Sequence, residues 1–246
     1  MKLDILAIGV HPDDVELGCS GLLINEVKNG KKVGILDLTR GELGTRGTIE
    51  TRFAEAAAAA SIIGASAREN LHWRDGFFVN DEKHQLELIA AIRKYQPDVI
   101  IANVLDDRHP DHGRAGHMIA DCAFLSGLVK IETLDAYGNP QPKWRPKMVL
   151  HYLQDWFYEP TILVDISDVF EQRMESIKAY RTQFHSATPV ASEGPQTYIS
   201  TPDFLEAVIA RARMLGKRIG VKYAEGFITE KKIGIRNLDA LVLIET

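Results

Sequence analysis

The chain has 246 residues, of which 45% are hydrophobic, so it can bury a core without disulfide bonds or a partner chain. Its net charge of −5 argues against nucleic acid as a partner, and its two cysteines, Cys19 and Cys122, argue against a disulfide scaffold. No stretch approaches the ~20 apolar residues of a membrane span, and the N-terminal apolar run is too short for a secretion signal, so we expect a cytoplasmic protein with one α/β domain over residues 1–246.

The first half of the chain alternates apolar runs with helical patterns. The apolar runs predict four strands, at residues 3–10, 32–39, 70–73 and 98–103. The helical patterns predict four helices, from 14 or 15 to about 28, over 48–63, from about 82 to 95 and from just after 113 to about 128. The resulting order βαβαβαβα predicts a Rossmann-like, doubly wound and mainly parallel sheet with helices on both faces.

Beyond residue 135 the pattern changes. A Pro-rich loop at 136–147 precedes two further predicted strands, a helix over 168–180 and a last helix from 202 to about 216; the strands cover residues 148–153 and 161–166. Residues 240–244 predict a closing strand. The stretch 184–202 is long and irregular, which is typical of functional loops, so Tyr198 is a candidate lid residue.

Two clusters of histidine and aspartate follow strands of this predicted sheet. The first is His-Pro-Asp-Asp at residues 11–14, after the first strand, and the second is Arg-His-Pro-Asp-His at 108–112, after the fourth. Ligands of open α/β sheets bind in the crevice at the carboxyl ends of the strands. Such a charged cluster is costly to bury unless a metal, a proton or hydrogen bonds compensate it. The two clusters together therefore predict a metal centre.

A hydrolytic zinc site needs about three protein ligands, an open position and a nearby carboxylate that is not a ligand. His11 and Asp14 can reach one point if the strand ends at the first and the helix begins at the second. Asp13 lies between them, points elsewhere and is the candidate general base. The third ligand is His109 or His112, and we favour His112 because Pro110 keeps His109 out of a regular first turn with it.

The remaining histidine of the second cluster, His109, is then free for catalysis. Asp111 can orient it, and a carboxylate would keep the imidazole cationic over a wider pH range. A cationic imidazole suits the stabilisation of an oxyanion and the protonation of a leaving amine. The predicted chemistry is attack of metal-activated water on a carbonyl, with Zn²⁺ as the metal and Fe²⁺ as an alternative in the cell.

Charged residues after the second and third strands form a candidate recognition wall for an anionic, polyhydroxyl small molecule. Arginine suits a carboxylate through bidentate pairing, and aspartate suits paired sugar hydroxyls. The candidate substrate contacts are Arg46, Arg52, Arg74 and Asp75, together with Arg108 of the second cluster.

In order and spacing, the two clusters resemble those of the LmbE-like (PIG-L) zinc deacetylases, which remove the acetyl group from N-acetylglucosamine joined to another moiety. The resemblance runs from the first strand through the fourth helix. The first motif reads His-Pro-Asp-Asp-Val-Glu where many members have His-Pro-Asp-Asp-Glu. The inserted Val15, the loop Thr-Arg-Gly-Glu-Leu-Gly-Thr-Arg-Gly at 39–47 and Arg-His-Pro-Asp-His at 108–112 are similar to the bacillithiol-biosynthesis branch of the family, which deacetylates N-acetylglucosaminyl malate.

The resemblance implies the same site assignments as the spacing, and it adds the substrate and a homo-oligomer, hexameric or trimeric. It implies zinc ligands His11, Asp14 and His112, the base Asp13, the acid and oxyanion stabiliser His109 oriented by Asp111, a sugar-contacting Arg52 and a hydroxyl-binding Asp75. Two other functions stay open, namely deacetylation of a chitooligosaccharide or of a thiol-sugar S-conjugate. A non-catalytic sugar- or nucleotide-binding module is disfavoured, because the glycines after the second strand do not form Gly-x-Gly-x-x-Gly and the first strand leads to His-Pro-Asp-Asp instead of a phosphate loop.

Overall fold

A computed structural model describes residues 1–184 and 194–241. The strands are β1 (Ile5–Gly9), β2 (Val33–Thr39), β3 (Ala67–Trp73), β4 (Val99–Asn103), β5 (Met148–Tyr152), β6 (Ile162–Asp165) and β7 (Ala224–Ile228). The helices are α1 (Asp14–Lys28), α2 (Ile49–Ile63), α3 (Glu82–Tyr95), α4 (Pro110–Leu125), α5 (Phe170–Lys178) and α6 (Pro202–Arg218). Short 3₁₀ helices lie at Ser167–Val169, Tyr198–Ser200 and Leu238–Leu241.

The seven strands form one sheet in the order β3-β2-β1-β4-β5-β7-β6. β1 pairs in parallel with β2 and β4, and the parallel pairing continues outward to β3 and β5. β7 runs antiparallel to both of its neighbours, β5 and β6. The predicted doubly wound, mainly parallel sheet is confirmed. From β1 the chain adds β2 and β3 on one side of the sheet and then returns to add β4 on the other side. Sheets of this kind bind ligands at such a switch point, here between β1 and β4.

Helices cover both faces of the sheet, and each face has its own apolar core. On one face, α1, α2, α5 and α6 pack over one cluster of buried side chains, to which they contribute Leu23, Ala59, Met174 and Ala212. On the other face, α3 and α4 pack over a second cluster through residues such as Ile89 and Ile119. Because both faces are covered, β1, β2 and most of β4 are buried throughout, which explains their uninterrupted apolar sequences.

Local signals at the helix ends agree with these bounds. The side chain of Thr48 accepts a hydrogen bond from the backbone of Thr51 at the start of α2, and Asp81 does the same for His84 at the start of α3. α2 stops at Gly64, whose φ of 81° is a left-handed conformation that suits glycine.

Three expectations about elements need correction. The fourth helix begins at Pro110 and not after residue 113, because proline is well suited to the first position of a helix. The antiparallel strand β7 was not predicted. Of the predicted closing strand at 240–244, Leu241 ends a 3₁₀ helix that begins at Leu238, and residues 242–244 lie outside the described residues. None of the helices in the described ranges is long and apolar enough to span a bilayer.

Candidate metal and catalytic site

The loop between β1 and α1 holds the first cluster in a tight turn. The backbone N–H groups of Val10 and His11 both donate to Oδ2 of Asp14, each at 3.0 Å. Asp13, immediately before α1, has a φ of 141°, a conformation that side-chain-bearing residues rarely adopt. Backbone strain of this kind costs about 1–3 kcal/mol and is found mainly at functional sites.

The Asp14 carboxylate lies at the centre of a buried hydrogen-bond network. The side-chain amide of Asn103, at the end of β4, donates to Oδ2 at 3.0 Å, and that of Gln154, just after β5, donates to Oδ1 at 2.8 Å. Burial alone would raise the pKa of Asp14, but His112 and His11 hold it well below the usual range. Asp14 is therefore a carboxylate anion in a fixed orientation.

The start of α4 brings the second cluster to the same place. His109 is the residue before the helix and Pro110 is its first residue, so His112 lies in the first turn. Nδ1 of His112 is 2.7 Å from Oδ2 of Asp107, and its Nε2 is 3.2 Å from Oδ1 of Asp14. Burial lowers the pKa of His112, but the two carboxylates outweigh this and raise it to about 9. The imidazole is thus held at both nitrogens.

His11 is held in the same way by a carboxylate on each side. Its Nε2 is 3.0 Å from Oδ1 of Asp75, and its Nδ1 is 3.6 Å from Oδ2 of Asp14. Burial opposes protonation, but these two aspartates raise the pKa of His11 to about 10. The other oxygen of Asp75 accepts the backbone N–H of Leu43 at 3.1 Å. Asp75, expected to bind sugar hydroxyls, therefore has both oxygens engaged in orienting His11 and the loop after β2.

These residues fit a divalent cation. Ligand nitrogens of His11, His109 and His112 lie within 4.8 Å of one another, and Asp14 approaches two of the three rings. The carboxylate of Asp107 on the far nitrogen of His112 is the kind of partner that metal-binding imidazoles usually have. Two imidazoles and one carboxylate, with a further imidazole beside them, suit zinc or iron. A second possible donor group consists of His11, Asp75 and Asp111.

His109 is oriented differently from the expectation. Its Nδ1 accepts the backbone N–H of Asp111 at 3.3 Å, as a side chain preceding a helix often does. The Asp111 carboxylate instead accepts hydrogen bonds from Arg114 at 2.7 Å and from the backbone of Gly76 at 2.8 Å. Burial and the charges of the two neighbouring histidines lower the pKa of His109. The expectation of a cationic His109 held by the Asp111 carboxylate is therefore wrong, and the neutral ring carries its proton on Nε2.

Asp13, the candidate base, is paired with a buried arginine. Nη1 of Arg52 donates to the Pro12 carbonyl at 2.8 Å and to Oδ2 of Asp13 at 3.1 Å, while Nη2 bonds the side chain of Gln183. Burial raises the pKa of Asp13 to about 7, although the charge of Arg52 opposes the shift. The guanidinium of Arg52, expected to contact sugar, is thus mainly engaged in positioning Asp13.

The three candidate metal ligands, the candidate base and His109 line one cavity of about 390 Å³. Of the predicted substrate contacts, Arg52, Asp75 and Arg108 line it, whereas Arg46 and Arg74 do not. Arg46 is buried and donates to the Thr182 carbonyl, and Arg74 lies over the ring of Phe77. The predicted recognition wall is therefore only partly present.

The candidate lid residue, Tyr198, lies at the mouth of the site. Its hydroxyl donates to Oδ1 of Asp155 at 2.9 Å, and its ring lies under the guanidinium of Arg108 at 4.4 Å. Nε of Arg108 is 3.0 Å from the other oxygen of Asp155. These three residues, the Tyr198 cluster, form one wall of the cavity.

Several residues of the site were not predicted from the sequence. The unpredicted residues are Asn103, Asp107, Gln154, Asp155, Gln183 and Arg211. Four of the six come at or just after the carboxyl ends of β4 and β5, the edge at which the site was expected, so their position was an available signal. Gln183 and Arg211 come from the last third of the chain, and no local pattern marks them.

Comparison with known proteins places the chain in a family. The family model PIG-L, described as GlcNAc-PI de-N-acetylase, matches residues 6–123, which contain both clusters. The conserved protein TT1542 from Thermus thermophilus has a crystal structure with a TM-score of 0.84 and 35% identity, covering 95% of this chain and 97% of that one. Diacetylchitobiose deacetylase from Thermococcus kodakarensis is 25% identical over 232 residues, 90% of this chain and 81% of that protein.

A further similarity concerns the fold alone. GalB, the 4-carboxy-2-hydroxymuconate hydratase from Pseudomonas putida KT2440, has a TM-score of 0.74 at 18% identity and covers 97% of this chain and 100% of its own. The fold by itself therefore does not decide the reaction, and the family rests on the sequence matches. On those matches, the chain belongs to the PIG-L family and is a deacetylase, an enzyme of the amidohydrolase type.

Proposed function

We propose that the chain is a metal-dependent N-deacetylase that hydrolyses the acetamide of N-acetylglucosaminyl L-malate to glucosaminyl malate and acetate. The observation that carries the proposal is that Asp13 and the proposed ligands His11, Asp14 and His112 line one cavity of about 390 Å³. This volume lies within the usual range of small-molecule sites. The malate conjugate is supported by the resemblance of the loop at 39–47 and of both clusters to the bacillithiol-biosynthesis branch.

In this proposal, His11, Asp14 and His112 hold the metal, Zn²⁺ or, in the cell, Fe²⁺. The ion supplies Lewis acidity, which makes water more acidic and polarises a carbonyl. Asp75 and Asp107 hold the two imidazoles in the orientation that the ion needs, through bonds of 3.0 and 2.7 Å.

The chain's own proton chemistry is assigned to two groups. Asp13 accepts the proton of the attacking water, and a pKa of about 7 matches that task near neutral pH. Arg52 keeps the carboxylate aimed into the cavity. His109, with its proton on Nε2, donates a hydrogen bond to the oxyanion. The leaving amine then takes the proton that Asp13 collected, so the base acts afterwards as an acid.

A second candidate substrate is N,N'-diacetylchitobiose. It is favoured by the relative from Thermococcus kodakarensis, a diacetylchitobiose deacetylase that matches 90% of this chain. The two candidates share the sugar and the acetamide and differ in the group attached to the sugar. A thiol-sugar S-conjugate shares the same chemistry and is the third substrate to compare.

The proposal is tested by measuring free-amine release from the malate conjugate, diacetylchitobiose and a thiol-sugar S-conjugate, with and without a chelator. We expect the highest kcat/KM for the malate conjugate, loss of activity with chelator, and recovery when Zn²⁺ or Fe²⁺ is restored. A preference for one of the others would transfer the proposal to that substrate. No amine release from any of the three by metal-loaded protein would contradict the proposal.

Two variants separate the base from the ligands. Asp13→Ala is expected to retain the metal and lose about 10²–10⁴-fold in kcat, whereas His112→Ala is expected to lose the metal. His117→Ala is the matched control, since His117 lies on the same helix and is exposed. Metal analysis and kcat are measured on all three. A His112 variant that still binds one equivalent of metal tightly would refute the ligand assignment.

A further inference from the structure

The carboxylates that line the cavity are already paired. Four aspartates line it, and each has a nitrogen partner within 3.2 Å. The pairs are Asp13 with Arg52, Asp14 with His112, Asp75 with His11, and Asp155 with Arg108. Each carboxylate of the cavity wall therefore has a nitrogen partner within the protein.

One of the three arginines that line the cavity has no hydrogen-bond or ion-pair partner among the described residues. Arg52, Arg108 and Arg211 line the cavity, and the first two are used by Asp13 and Asp155. Over residues 1–184 and 194–241, the guanidinium of Arg211 makes no hydrogen bond and no ion pair. The side chain is only partly exposed. Arg211 therefore lines the cavity with no acceptor for its donors among the residues that the structure describes.

The surroundings of Arg211 make its charge costly. Burial, followed by the nearby charge of Arg173, lowers the pKa of Arg211 to about 10. The carboxylate of Asp155 favours the charge most, but its oxygens are engaged by Arg108 and by the Tyr198 hydroxyl. The carboxylate of Glu225 favours the charge less, and its oxygens accept hydrogen bonds from Arg173 and from the backbone of α1. The carboxylate of Asp107 is likewise engaged by His112. An anion that enters the cavity is thus the missing partner.

Arg211 is held in this place by the packing of α6. Val208 and Ala212, on the same face of the helix, are buried against the core that α1 and β7 share. Phe204, one turn earlier on that face, lines the cavity together with the ring of Tyr198. The helix face that carries Arg211 is therefore largely apolar, and a charged hydrogen bond formed beside it is strengthened by the low local dielectric.

We propose that Arg211 is the anion-binding residue of this cavity and that it pairs with a carboxylate on the group attached to the substrate's amino sugar. The proposal rests on the proposed function, whose substrate carries such carboxylates. The planar guanidinium offers two parallel N–H donors, which match the two oxygens of a carboxylate. A ligand amine or amide has no such pair of acceptors. Arg211 then selects anionic conjugates over neutral ones such as diacetylchitobiose, and takes no part in the proton transfers.

The test measures binding of the reaction product, because product binding does not depend on turnover. Glucosaminyl malate and its dimethyl ester have the same sugar and nearly the same shape, and only the first carries the two carboxylates. Their Kd values are measured by calorimetry on wild type, Arg211→Met, Arg211→Gln and Arg213→Met. Arg213 is the matched control, since it lies on the same helix, carries the same charge and is exposed over the ring of Tyr223.

We expect wild type and Arg213→Met to bind the acid about 10- to 100-fold more tightly than the ester, and both Arg211 variants to lose this preference. A general structural role of Arg211 would weaken both ligands alike and leave the ratio unchanged. If Arg211→Met does not fold, as judged by its thermal melt, Arg211→Gln decides, since it keeps a polar side chain of similar length.

The proposal is overturned if the Arg211 variants keep the wild-type ratio, or if wild type does not prefer the acid. Failure of the proposed function has a different signature. A wild-type protein that prefers the acid form of the product in binding, but releases no amine from N-acetylglucosaminyl malate, would refute the function and leave the anion-binding role of Arg211 supported.

Discussion

At the scale of single residues, the side chains of the two clusters owe their orientation to neighbours that carry no motif signal. Asn103 and Gln154 orient Asp14, and Asp107 orients His112. Asp13 adds a second feature, since its φ of 141° means that the backbone itself is strained at the candidate base. Both features can be tested one residue at a time.

Replacing Asp107 by asparagine removes the negative charge behind His112 while preserving its shape. We expect metal affinity to fall about 10–100-fold, because such carboxylate partners fix the ring and raise its basicity as a ligand. Competition with a chromogenic chelator measures the affinity. Asp106→Asn is the matched control, since Asp106 is adjacent but exposed. Equal metal affinities for the two variants would contradict the role of Asp107.

Replacing Asp13 by glycine or by alanine removes the carboxylate equally and differs only in backbone freedom. We expect the glycine variant to have the higher free energy of unfolding, by about 1 kcal/mol, because glycine adopts positive φ without penalty. Urea denaturation of metal-depleted protein measures the difference. The same pair at Asp203, an exposed residue in the first turn of α6, should show the opposite order. The opposite order at Asp13 as well would argue against strain there.

At the scale of elements, the site depends on how closely α1 approaches the sheet. The first turns of α1 carry Asp14 and stay near β5 because residue 18 is a glycine, over which the ring of Tyr152 lies. The Tyr152 hydroxyl then donates to the Ile8 carbonyl of β1 at 3.3 Å. Helix α1, β1 and β5 are thus locked together directly below the candidate ligands.

Gly18→Ala is expected to destabilise the protein by about 1–3 kcal/mol, although alanine favours helix more than glycine does. The reason is that the added Cβ would overlap the Tyr152 ring, which is fully buried and has no room to move. The shift in the urea midpoint, at unchanged m-value, measures the effect. Gly234→Ala serves as the control, because no atom lies within 4 Å of a Cβ built there. Equal midpoints for the two variants would contradict the close approach.

At the scale of the whole molecule, a buried ion pair joins the last part of the chain to the first. Glu225 of β7 accepts a hydrogen bond from Nε of Arg173 in α5 at 2.8 Å, and the backbone N–H groups of Gly21 and Leu22 donate to the same carboxylate. Both charged side chains are about 3% exposed. The pair therefore connects α5, α1 and β7, and helps to hold the wall that carries Arg211.

Glu225→Leu is expected to lower the free energy of unfolding by about 3–5 kcal/mol, because it leaves the charge of Arg173 buried and unpaired. The double variant Arg173→Met/Glu225→Leu should recover part of this loss, since no charge then lacks a partner. Glu159→Leu, which breaks the exposed pair with Arg218, should leave the urea midpoint close to that of wild type. A double variant no more stable than Glu225→Leu would count against the unpaired charge as the cause.

The sequence alone predicted the parallel part of the sheet and the position of the two clusters at its edge, because hydrophobic period and strand ends are local signals. Helix α3 lies where its apolar period predicts it, from Glu82 to Tyr95, and the two clusters were expected at the edge where the cavity lies. The metal ligands, the base and the oligomeric state stay predictions.

Only the tertiary structure decided which arginines bond to other groups of the protein and which line the cavity without such a bond. Arg46 and Arg52 bond with Thr182, Asp13 and Gln183, whereas Arg211, unmarked in the sequence, lines the cavity unpaired within the described part of the chain. Strand β7 was likewise missed, because its short sequence, Ala-Glu-Gly-Phe-Ile, contains a charged residue and a glycine. The charged residue, Glu225, is paired with Arg173, 52 residues away. A charge's role depends on the partner that folding brings beside it, and residues far apart in sequence supply that partner.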